Sequence, residues 1–344
     1  MSLNLRIVTN LLTDRIATLP LAILYITDRC NSKCITCDYW RYGQTNMALS
    51  LAEQIAAELP SLGTRMALIS GGEPLLHPHW YDLVAAIRQH VPQVVLLTSG
   101  ILLPKNIERV RELCEHTIVS LDGATPETYK RIRGVDGFGA VERGVRGLVE
   151  AGGGVSLRCT LQRDNYQEMP ALIHLARAWG VRQISFLTVD VSTHIAFARQ
   201  ADFNQSMALR HDDLSAFAHV LDEVEREFAT DFADGFIAES PAKLRGLQRY
   251  FAALVGEGAF PPVRCNAPQW SCVIRTDGSV QPCYFIEGDR GQGTGDRTSL
   301  RSALNKPSLM QLRQAIRQGE RAECGRCVCS AYRSPRDLVQ NRLM

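Results

Sequence analysis

The sequence lacks a long hydrophobic run, and this absence excludes several classes of protein. Its longest apolar stretch, residues 16–26, is interrupted by Thr18 and Pro20. The stretch is about half of the ~20 residues that a membrane-spanning helix needs. The residues that follow it, 27–30, do not have the small-residue pattern at which a signal peptidase cuts. We therefore expect no membrane partner and a cytoplasmic location.

The sequence also lacks an excess of charge of either sign. Its 344 residues include 38 basic and 36 acidic side chains, a formal net charge of +2. The chain as a whole therefore offers no basic surface for nucleic acid, and we expect no nucleic-acid partner. The hydrophobic content of 45% is that of an ordinary globular protein, which excludes a disordered or fibrous chain.

Cysteine, in contrast, is abundant, with 11 residues. A disulfide framework is not expected in a reducing compartment, so cysteines that cluster in the sequence are predicted to bind metal or to take part in catalysis. Nine of the 11 cluster, in residues 30–37 and 265–329. Cys114 and Cys159 are isolated in a predicted helix and a predicted strand, where we expect buried structural thiols.

Short apolar runs alternate with longer amphipathic segments from residue 21 to about residue 190, a pattern typical of β/α units around parallel strands. The predicted strands are 21–27, 66–70, 93–98, 117–121, 155–161 and 183–189. A capping box at Ser50 and the pair Thr125-Pro126 predict helix starts. We therefore predict an α/β fold, a partial (β/α)6 barrel of the TIM type over residues 21–235, after an N-terminal extension of residues 1–20.

The remaining sequence, residues 236–344, is predicted to form a small cysteine-rich domain. From about residue 259 it is rich in proline, glycine and cysteine, and Asp277-Gly278 predicts a hairpin turn. Its few apolar residues suggest that bound metal stabilises it. Residues 190–211, which have no β/α pattern, are predicted to form a loop that crosses the barrel.

Cys30, Cys34 and Cys37 form a CxxxCxxC motif directly after the first predicted strand. Barrel folds build their active sites at this carboxyl end of the strands. Three thiolates on so short a loop can bind three irons of a cubane cluster and leave the fourth iron open to a substrate group. A zinc site is the alternative, although zinc sites are usually closed by a fourth ligand, and none lies nearby in the sequence.

A second motif, Gly71-Gly72-Glu73-Pro74, follows the second predicted strand. Its glycines allow the backbone to approach a ligand, and its carboxylate can pair with an ammonium group. Taken alone, the motif is more often a plain strand-to-helix turn. In a parallel barrel the ends of the first and second strands are neighbours, so both motifs are predicted to face one cavity.

This combination resembles the radical S-adenosylmethionine (SAM) superfamily. The resemblance implies that the CxxxCxxC loop holds a 4Fe-4S cluster that chelates SAM, and that the GGEP turn holds the amino group of SAM. One electron, from a reducing partner such as flavodoxin or ferredoxin, then cleaves SAM to a 5′-deoxyadenosyl radical that abstracts hydrogen from a substrate carbon. The resemblance extends to residues 120–123, residues 132–134 and Arg158.

Those further positions resemble SAM contacts, with Arg158 suited to the methionine carboxylate and Ser120 and Asp122 to the ribose hydroxyls. A turn is the alternative reading of these residues. The sequence departs from many relatives at Thr36, where they place an aromatic residue near adenine. One alternative is that Tyr39 or Trp40 takes the place of that aromatic residue. The other is that both are core or barrel-rim residues.

The C-terminal cysteines resemble the SPASM and twitch extensions of the same superfamily, which hold one or two auxiliary 4Fe-4S clusters. Twelve residues separate Cys265 from Gly278, Cys283 follows after four more, and Cys324 and Cys327 form a CxxC turn. The resemblance implies a second 4Fe-4S cluster on these four cysteines, the twitch arrangement, with Cys272 and Cys329 unassigned. A zinc ribbon on the same four is the alternative.

The sequence thus favours an enzyme that oxidises or rearranges a small molecule, such as a sugar, cyclitol or amino-acid derivative. A small molecule is preferred because Cys30 lies too close to the first residue for a peptide-recognition domain to precede it. A SPASM-type maturase of peptides or proteins is one alternative, and a non-catalytic iron–sulfur or zinc scaffold is another. No residue pattern identifies a catalytic base.

Overall fold

A computed structural model describes residues 3–192, 197–199, 205–286, 299–329 and 331–340. Each of the six predicted strands is confirmed to within one residue at either end. The strands are β1 (Leu21–Thr27), β2 (Met66–Gly71), β3 (Gln93–Thr98), β4 (His116–Ser120), β5 (Val155–Leu161) and β6 (Gln183–Thr188). Each pairs in parallel with the next, as β/α units require. The predicted α/β fold with a partial barrel is confirmed.

Helices pack around this sheet. They are α1 (Leu3–Thr13), α2 (Tyr39–Tyr42), α3 (Leu49–Glu58), α4 (Trp80–Arg88), α5 (Ile107–Leu113), α6 (Pro126–Arg133), α7 (Phe138–Glu150), α8 (Met169–Ala178), α9 (His211–Glu227), α10 (Ala229–Ala233), α11 (Pro241–Leu254), α12 (Leu300–Leu304), α13 (Pro307–Gln318) and α14 (Pro335–Val339). In the described part of the chain, no helix has the length and apolar character needed to cross a bilayer.

Alternate residues of each strand face opposite sides of the sheet and divide the core in two. Ala22, Leu24 and Ile26 of β1 pack under the surrounding helices in the larger hydrophobic cluster. Leu21 and Ile23 instead face the barrel interior, where they join a smaller apolar cluster. The smaller cluster lies beneath the carboxyl ends of the strands and forms the floor of the site described below.

The predicted hairpin is confirmed, and it extends the barrel sheet. It comprises β7 (Ser271–Ile274) and β8 (Val280–Gln281), which pair antiparallel. β7 also pairs in parallel with β1, so the strand order is β6-β5-β4-β3-β2-β1-β7-β8. The C-terminal segment is therefore continuous with the barrel at the strand that carries the CxxxCxxC loop.

Further contacts join the predicted segments. The Asn10 side chain donates to the carbonyl oxygens of Thr18 and Gln269 at 2.6 and 2.7 Å. Buried Arg313 donates to the carbonyl oxygen of Asp14 at 3.0 Å. Near the other boundary, the Ala238 amide donates to the carbonyl oxygen of Ile184 in β6 at 2.9 Å. The domain boundaries after residues 20 and 235 stay predictions. Hydrogen bonds connect the segments on either side of each boundary.

Candidate active site

The cysteine loop after β1 is fixed against the end of α6. The Lys33 amide donates to the carbonyl oxygen of Arg133 at 2.8 Å, and the Ile35 amide donates to that of Ile132 at 3.0 Å. Gly134, with φ of +67°, follows α6, and a Cβ there would lie 2.3 Å from the Lys33 carbonyl oxygen. Residues 132–134, which the resemblance assigned to SAM, therefore hold the backbone of the cysteine loop.

The three thiols of this loop lie close together in a partly desolvated site. Burial raises the pKa of Cys30 to about 12, and the neighbouring Glu73 and Cys34 raise it further than the nearby Arg133 lowers it. Burial also raises the pKa of Cys37. Cluster binding must therefore displace protons from these thiols. Thiolates are the usual ligands of iron–sulfur clusters, so this donor set fits a cluster.

The GGEP turn packs directly against the first residues of the cysteine loop. The Gly72 amide donates to the carbonyl oxygen of Thr27, and the Glu73 amide donates to that of Arg29, both at 2.8 Å. A Cβ at Gly71 would lie 2.0 Å from the Thr27 carbonyl oxygen, and the residue has φ of +139°. The two sequence motifs are therefore neighbours, as predicted, and their glycines permit this close approach.

The Glu73 carboxylate is fully buried and has three donors. Its Oε1 accepts from the Leu75 amide at 3.1 Å and from the Thr98 hydroxyl at 2.8 Å. Its Oε2 accepts from the Ser99 amide at 2.7 Å. Glu73 thus connects the ends of β2 and β3, while Pro74 begins a buried turn of 3-10 helix. The predicted contact of this turn with the amino group of SAM stays a prediction.

Polar side chains form a row across the interior of the barrel. Ser120 on β4 lies opposite Arg158 on β5, which lies opposite Ser185 on β6. Arg158 Nε donates to the Ser185 hydroxyl at 3.4 Å. Ser120 and Arg158 therefore meet on one interior surface, as their assignment to a single ligand requires.

Asp122, the other predicted ribose contact, has polar partners within the protein. Its Oδ2 lies 2.9 Å from Arg133 Nε, and its Oδ1 accepts from the Thr160 amide at 2.8 Å. Arg133 Nη1 in turn donates to Cys34 Sγ at 3.4 Å. The sequence singled out both residues but gave no indication that they form a pair next to a cysteine ligand.

The aromatic residues near the loop occupy different places. Tyr39 is 4% exposed and packs edge-on against Tyr25 in the barrel interior, with ring centroids 6.1 Å apart. Trp40 is half-buried at the rim and donates its ring N–H to the carbonyl oxygen of Cys34 at 3.3 Å. Tyr39 is therefore a core residue, and only Trp40 remains exposed enough to contact a ligand.

The predicted crossing loop is only partly described. Residues 193–196 and 200–204 lie outside the described residues. The Phe197 carbonyl oxygen accepts from the Asp38 amide at 2.9 Å, and Arg199 Nε donates to the carbonyl oxygen of Thr36 at 2.8 Å. This part of the loop therefore contacts the cysteine loop.

A cavity of about 480 Å³ lies between the barrel interior and the C-terminal segment. Leu21, Ile23, Leu68, Ile118 and Arg158 line its barrel side. The opposite side carries the predicted cluster ligands Cys265, Cys283, Cys324 and Cys327, together with Cys329. Arg158 thus faces the C-terminal cysteines as well as Ser120.

Cys329 is a site residue that the sequence reasoning missed. Burial raises its pKa, and the nearby Cys265 adds to the shift. Its amide donates to Cys327 Sγ at 3.3 Å. Six cysteines line the cavity. The side chain of one of them, Cys272, belongs to the larger hydrophobic cluster, which leaves five candidate ligands where four were predicted. The tight CxxCxC spacing of residues 324–329 was the available signal for the fifth. This donor set also fits an iron–sulfur cluster.

The remaining cysteines lie in the packed core. Cys114 and Cys159 are buried, as predicted, and Cys272 is buried within β7. In the described ranges, no three or more Cys, His, Asp or Glu side chains are placed to hold a single metal ion.

Comparisons with known proteins agree with this arrangement. Residues 24–176 match the radical SAM superfamily, and residues 265–328 match the SPASM iron–sulfur cluster-binding domain. Fe-coproporphyrin III synthase of Methanosarcina barkeri is 30% identical over 177 residues, which are 48% of this chain and 43% of that protein. GTP 3′,8-cyclase of Shewanella denitrificans is 32% identical over 160 residues, 44% of this chain and 48% of that protein. The chain spans about half the length of these curated relatives.

Solved structures show the same fold at low sequence identity. SuiB of Streptococcus suis, bound to SAM, has a TM-score of 0.65 and 14% identity, over 94% of this chain and 75% of that one. The structure of anSMEcpe with bound SAM and the Kp18Cys peptide has a TM-score of 0.66 and 18% identity, over 91% of this chain and 88% of that one. The motifs and both domain matches lead to one conclusion: residues 24–176 of this chain are a radical SAM domain, and residues 265–328 are a SPASM iron–sulfur cluster-binding domain.

Proposed function

We propose that the chain cleaves SAM reductively and abstracts hydrogen from a substrate held between the barrel and the C-terminal segment. The observation that carries this proposal is the pair of backbone hydrogen bonds that joins the GGEP turn to the start of the cysteine loop. These bonds support the proposal because they join the turn to the start of the loop that carries the three thiols. When bound, a 4Fe-4S cluster and SAM supply a 5′-deoxyadenosyl radical for this chemistry.

The residues of the site have distinct roles in this proposal. Cys30, Cys34 and Cys37 hold the first cluster, and the turn of residues 71–74 presents its backbone to the amino group of SAM. Arg158 binds a carboxylate as a charged, bidentate donor. Ser120, directly beside it, binds a hydroxyl group of the ribose. The predicted ribose contact of Asp122 is left out of the proposal, because its two carboxylate oxygens contact Arg133 and the Thr160 amide.

The C-terminal cysteines hold one auxiliary 4Fe-4S cluster next to the substrate. Cys265, Cys283 and Cys327 belong to this proposed site, and Cys324 and Cys329 compete for the remaining position. Such a cluster can accept an electron from the substrate or bind it directly. The apolar barrel wall opposite excludes water and so protects a reactive substrate from side reactions.

The size of the cavity supports a small-molecule substrate. A volume of about 480 Å³ is within the range of small-molecule pockets, and the cluster itself takes up part of it. A peptide is the second candidate, because SuiB bound to the precursor peptide SuiA has the same fold, with a TM-score of 0.65. A peptide would have to place a single side chain in this cavity while the rest of it remained outside.

The test is anaerobic SAM turnover by the reconstituted and reduced chain, measured as 5′-deoxyadenosine. Parent protein should form it, Cys34→Ala should not, and the core variant Cys272→Ser should behave like the parent. If parent and Cys34→Ala both form none, the chain is a non-catalytic iron–sulfur or zinc scaffold.

The substrate class is tested by adding fractions of source-cell extract, separated into small molecules and peptides. Stimulation by the small-molecule fraction supports the proposal, and stimulation by the peptide fraction alone favours a peptide maturase. Extract from cells grown on deuterated medium shows that the abstracted hydrogen comes from a molecule of the extract, because deuterium then appears in 5′-deoxyadenosine. Flavodoxin or ferredoxin should replace the chemical reductant.

A further inference from the structure

A buried ion pair lies behind the cysteine loop and contacts one of its thiols. Arg133 is 9% exposed and Asp122 is 3% exposed. The guanidinium Nε lies 2.9 Å from Asp122 Oδ2, while Nη1 donates to Cys34 Sγ at 3.4 Å. A permanently charged donor therefore points at a thiol that is itself only 8% exposed.

The surrounding backbone fixes both members of this pair. The Thr160 amide donates to Asp122 Oδ1 at 2.8 Å, and the Asn165 side-chain amide donates to the Asp122 carbonyl oxygen at 2.9 Å. The Arg133 carbonyl oxygen accepts from the Lys33 amide within the cysteine loop. The distance between the guanidinium and the thiol is therefore set by β5, by α6 and by the loop itself.

Fold stability alone is a weak reason for such a pair. Removing two charges from water costs several kcal/mol per ion, and apolar residues of similar volume are often as stabilising as a buried ion pair. A fixed positive charge, in contrast, directly stabilises negative charge on a neighbouring thiolate. In a region of low dielectric the effect of that charge is larger than it would be in water.

We infer that Arg133 is a positioning residue that raises the reduction potential of the cluster on Cys30, Cys34 and Cys37, and that Asp122 limits this effect. The inference rests on the proposed function for the presence of that cluster. The incoming electron increases the negative charge on the cluster and its thiolates, so a cationic donor at Cys34 stabilises the reduced state. The Asp122 carboxylate cancels part of that positive charge.

The pair therefore predicts shifts of opposite sign from its two members. Arg133→Met removes the charge and the donor, and should lower the potential of the first cluster. Asp122→Asn leaves the guanidinium uncompensated, and should raise it. We expect each change to alter the reduction equilibrium about tenfold, which is about 59 mV for a one-electron couple.

The experiment is an EPR-monitored redox titration of the loaded protein without SAM, so that an effect on SAM binding does not enter. The auxiliary cluster in the same molecule is the internal control and should not shift. Arg163→Met and Asp213→Asn are matched controls, because these side chains also form an ion pair, at 3.2 Å, away from the cysteine loop. Arg133→Lys keeps the charge and should recover part of the potential.

Unchanged potentials in Arg133→Met and Asp122→Asn, or shifts of the same sign in both, would overturn the inference. If Arg133→Met does not retain the cluster, the sign of the shift in Asp122→Asn decides alone. The proposed function has a separate criterion, the loss of the first cluster's EPR signal when Cys30, Cys34 and Cys37 are all replaced by alanine. A signal that survives this replacement overturns the proposed function.

Discussion

Replacing Gly71 by alanine tests the contact between the two motifs of the site. The new Cβ would lie 2.0 Å from the carbonyl oxygen of Thr27, an overlap with backbone that no side-chain rotation relieves. The φ of +139° is also one that alanine rarely adopts. The turn must therefore move away from residues 27–29, from which the cysteine loop begins.

The cost of this movement follows from the interactions that it breaks. An unfavourable backbone conformation costs about 1–3 kcal/mol. Separation of the turn from Thr27 and Arg29 also removes two backbone hydrogen bonds, each of which contributes about 0.5–1.5 kcal/mol. We therefore expect Gly71→Ala to lower the free energy of unfolding by roughly 2–6 kcal/mol.

The assay is urea unfolding of the cluster-free protein, followed by far-UV circular dichroism. Gly246→Ala is the matched control, since this glycine lies within α11 and its added Cβ would meet nothing within 4 Å. It should stabilise the protein by about 0.5–1 kcal/mol. If Gly71→Ala costs no more than about 1 kcal/mol, the contact is soft, and the rigid link between turn and loop is refuted.

Three further predictions concern the turn that follows β2 and the C-terminal cysteines. Glu73→Gln should lower the free energy of unfolding by about 1–3 kcal/mol in urea titrations, because its NH2 group would face a backbone donor such as the Ser99 amide; an unchanged value would contradict this. Burial lowers the pKa of His77 below the ordinary histidine value of about 6.5. The unfolded state therefore binds more protons, and stability should fall as pH drops below about 6.5. His77→Gln, which cannot be protonated, should show a shallower pH dependence of thermal unfolding, and an equal slope would contradict that. Cys329→Ser should alter the EPR spectrum of the auxiliary cluster and Cys272→Ser should not; identical spectra would remove Cys329 from the site.

The strands could be predicted because each is a short apolar run bounded by turn residues, a pattern contained within a few neighbouring positions. The helix start at Thr125 was equally local: its side chain accepts from the Thr128 amide, and Pro126 occupies the first turn. The capping box at Ser50 was wrong. That helix begins at Leu49, and its N-cap, Ala48, provides no side-chain hydrogen bond. Packing of this helix against the barrel, and not a side-chain cap, stabilises it.

The rest depends on contacts between residues far apart in the chain. The pairing of β7 with β1 joins strands of four and seven residues, and neither strand encodes its partner. The association of Arg133 with Cys34 likewise depends on α6 packing beside the cysteine loop. Sequence motifs could therefore identify the ligand residues but not the charges around them.

The pairing of β7 with β1 also affects how the chain folds during synthesis. Residues 21–24 lie about 250 positions before their partners at 271–274, an interval of roughly 12–50 s at about 5–20 residues per second. Until then β1 has a free edge, which can pair with another chain. The strand that leads into the first cysteine motif is therefore among the last to be protected. Faster translation of residues 28–270 shortens the time for which this edge is free. It should therefore raise the yield of soluble protein in cells that make this chain.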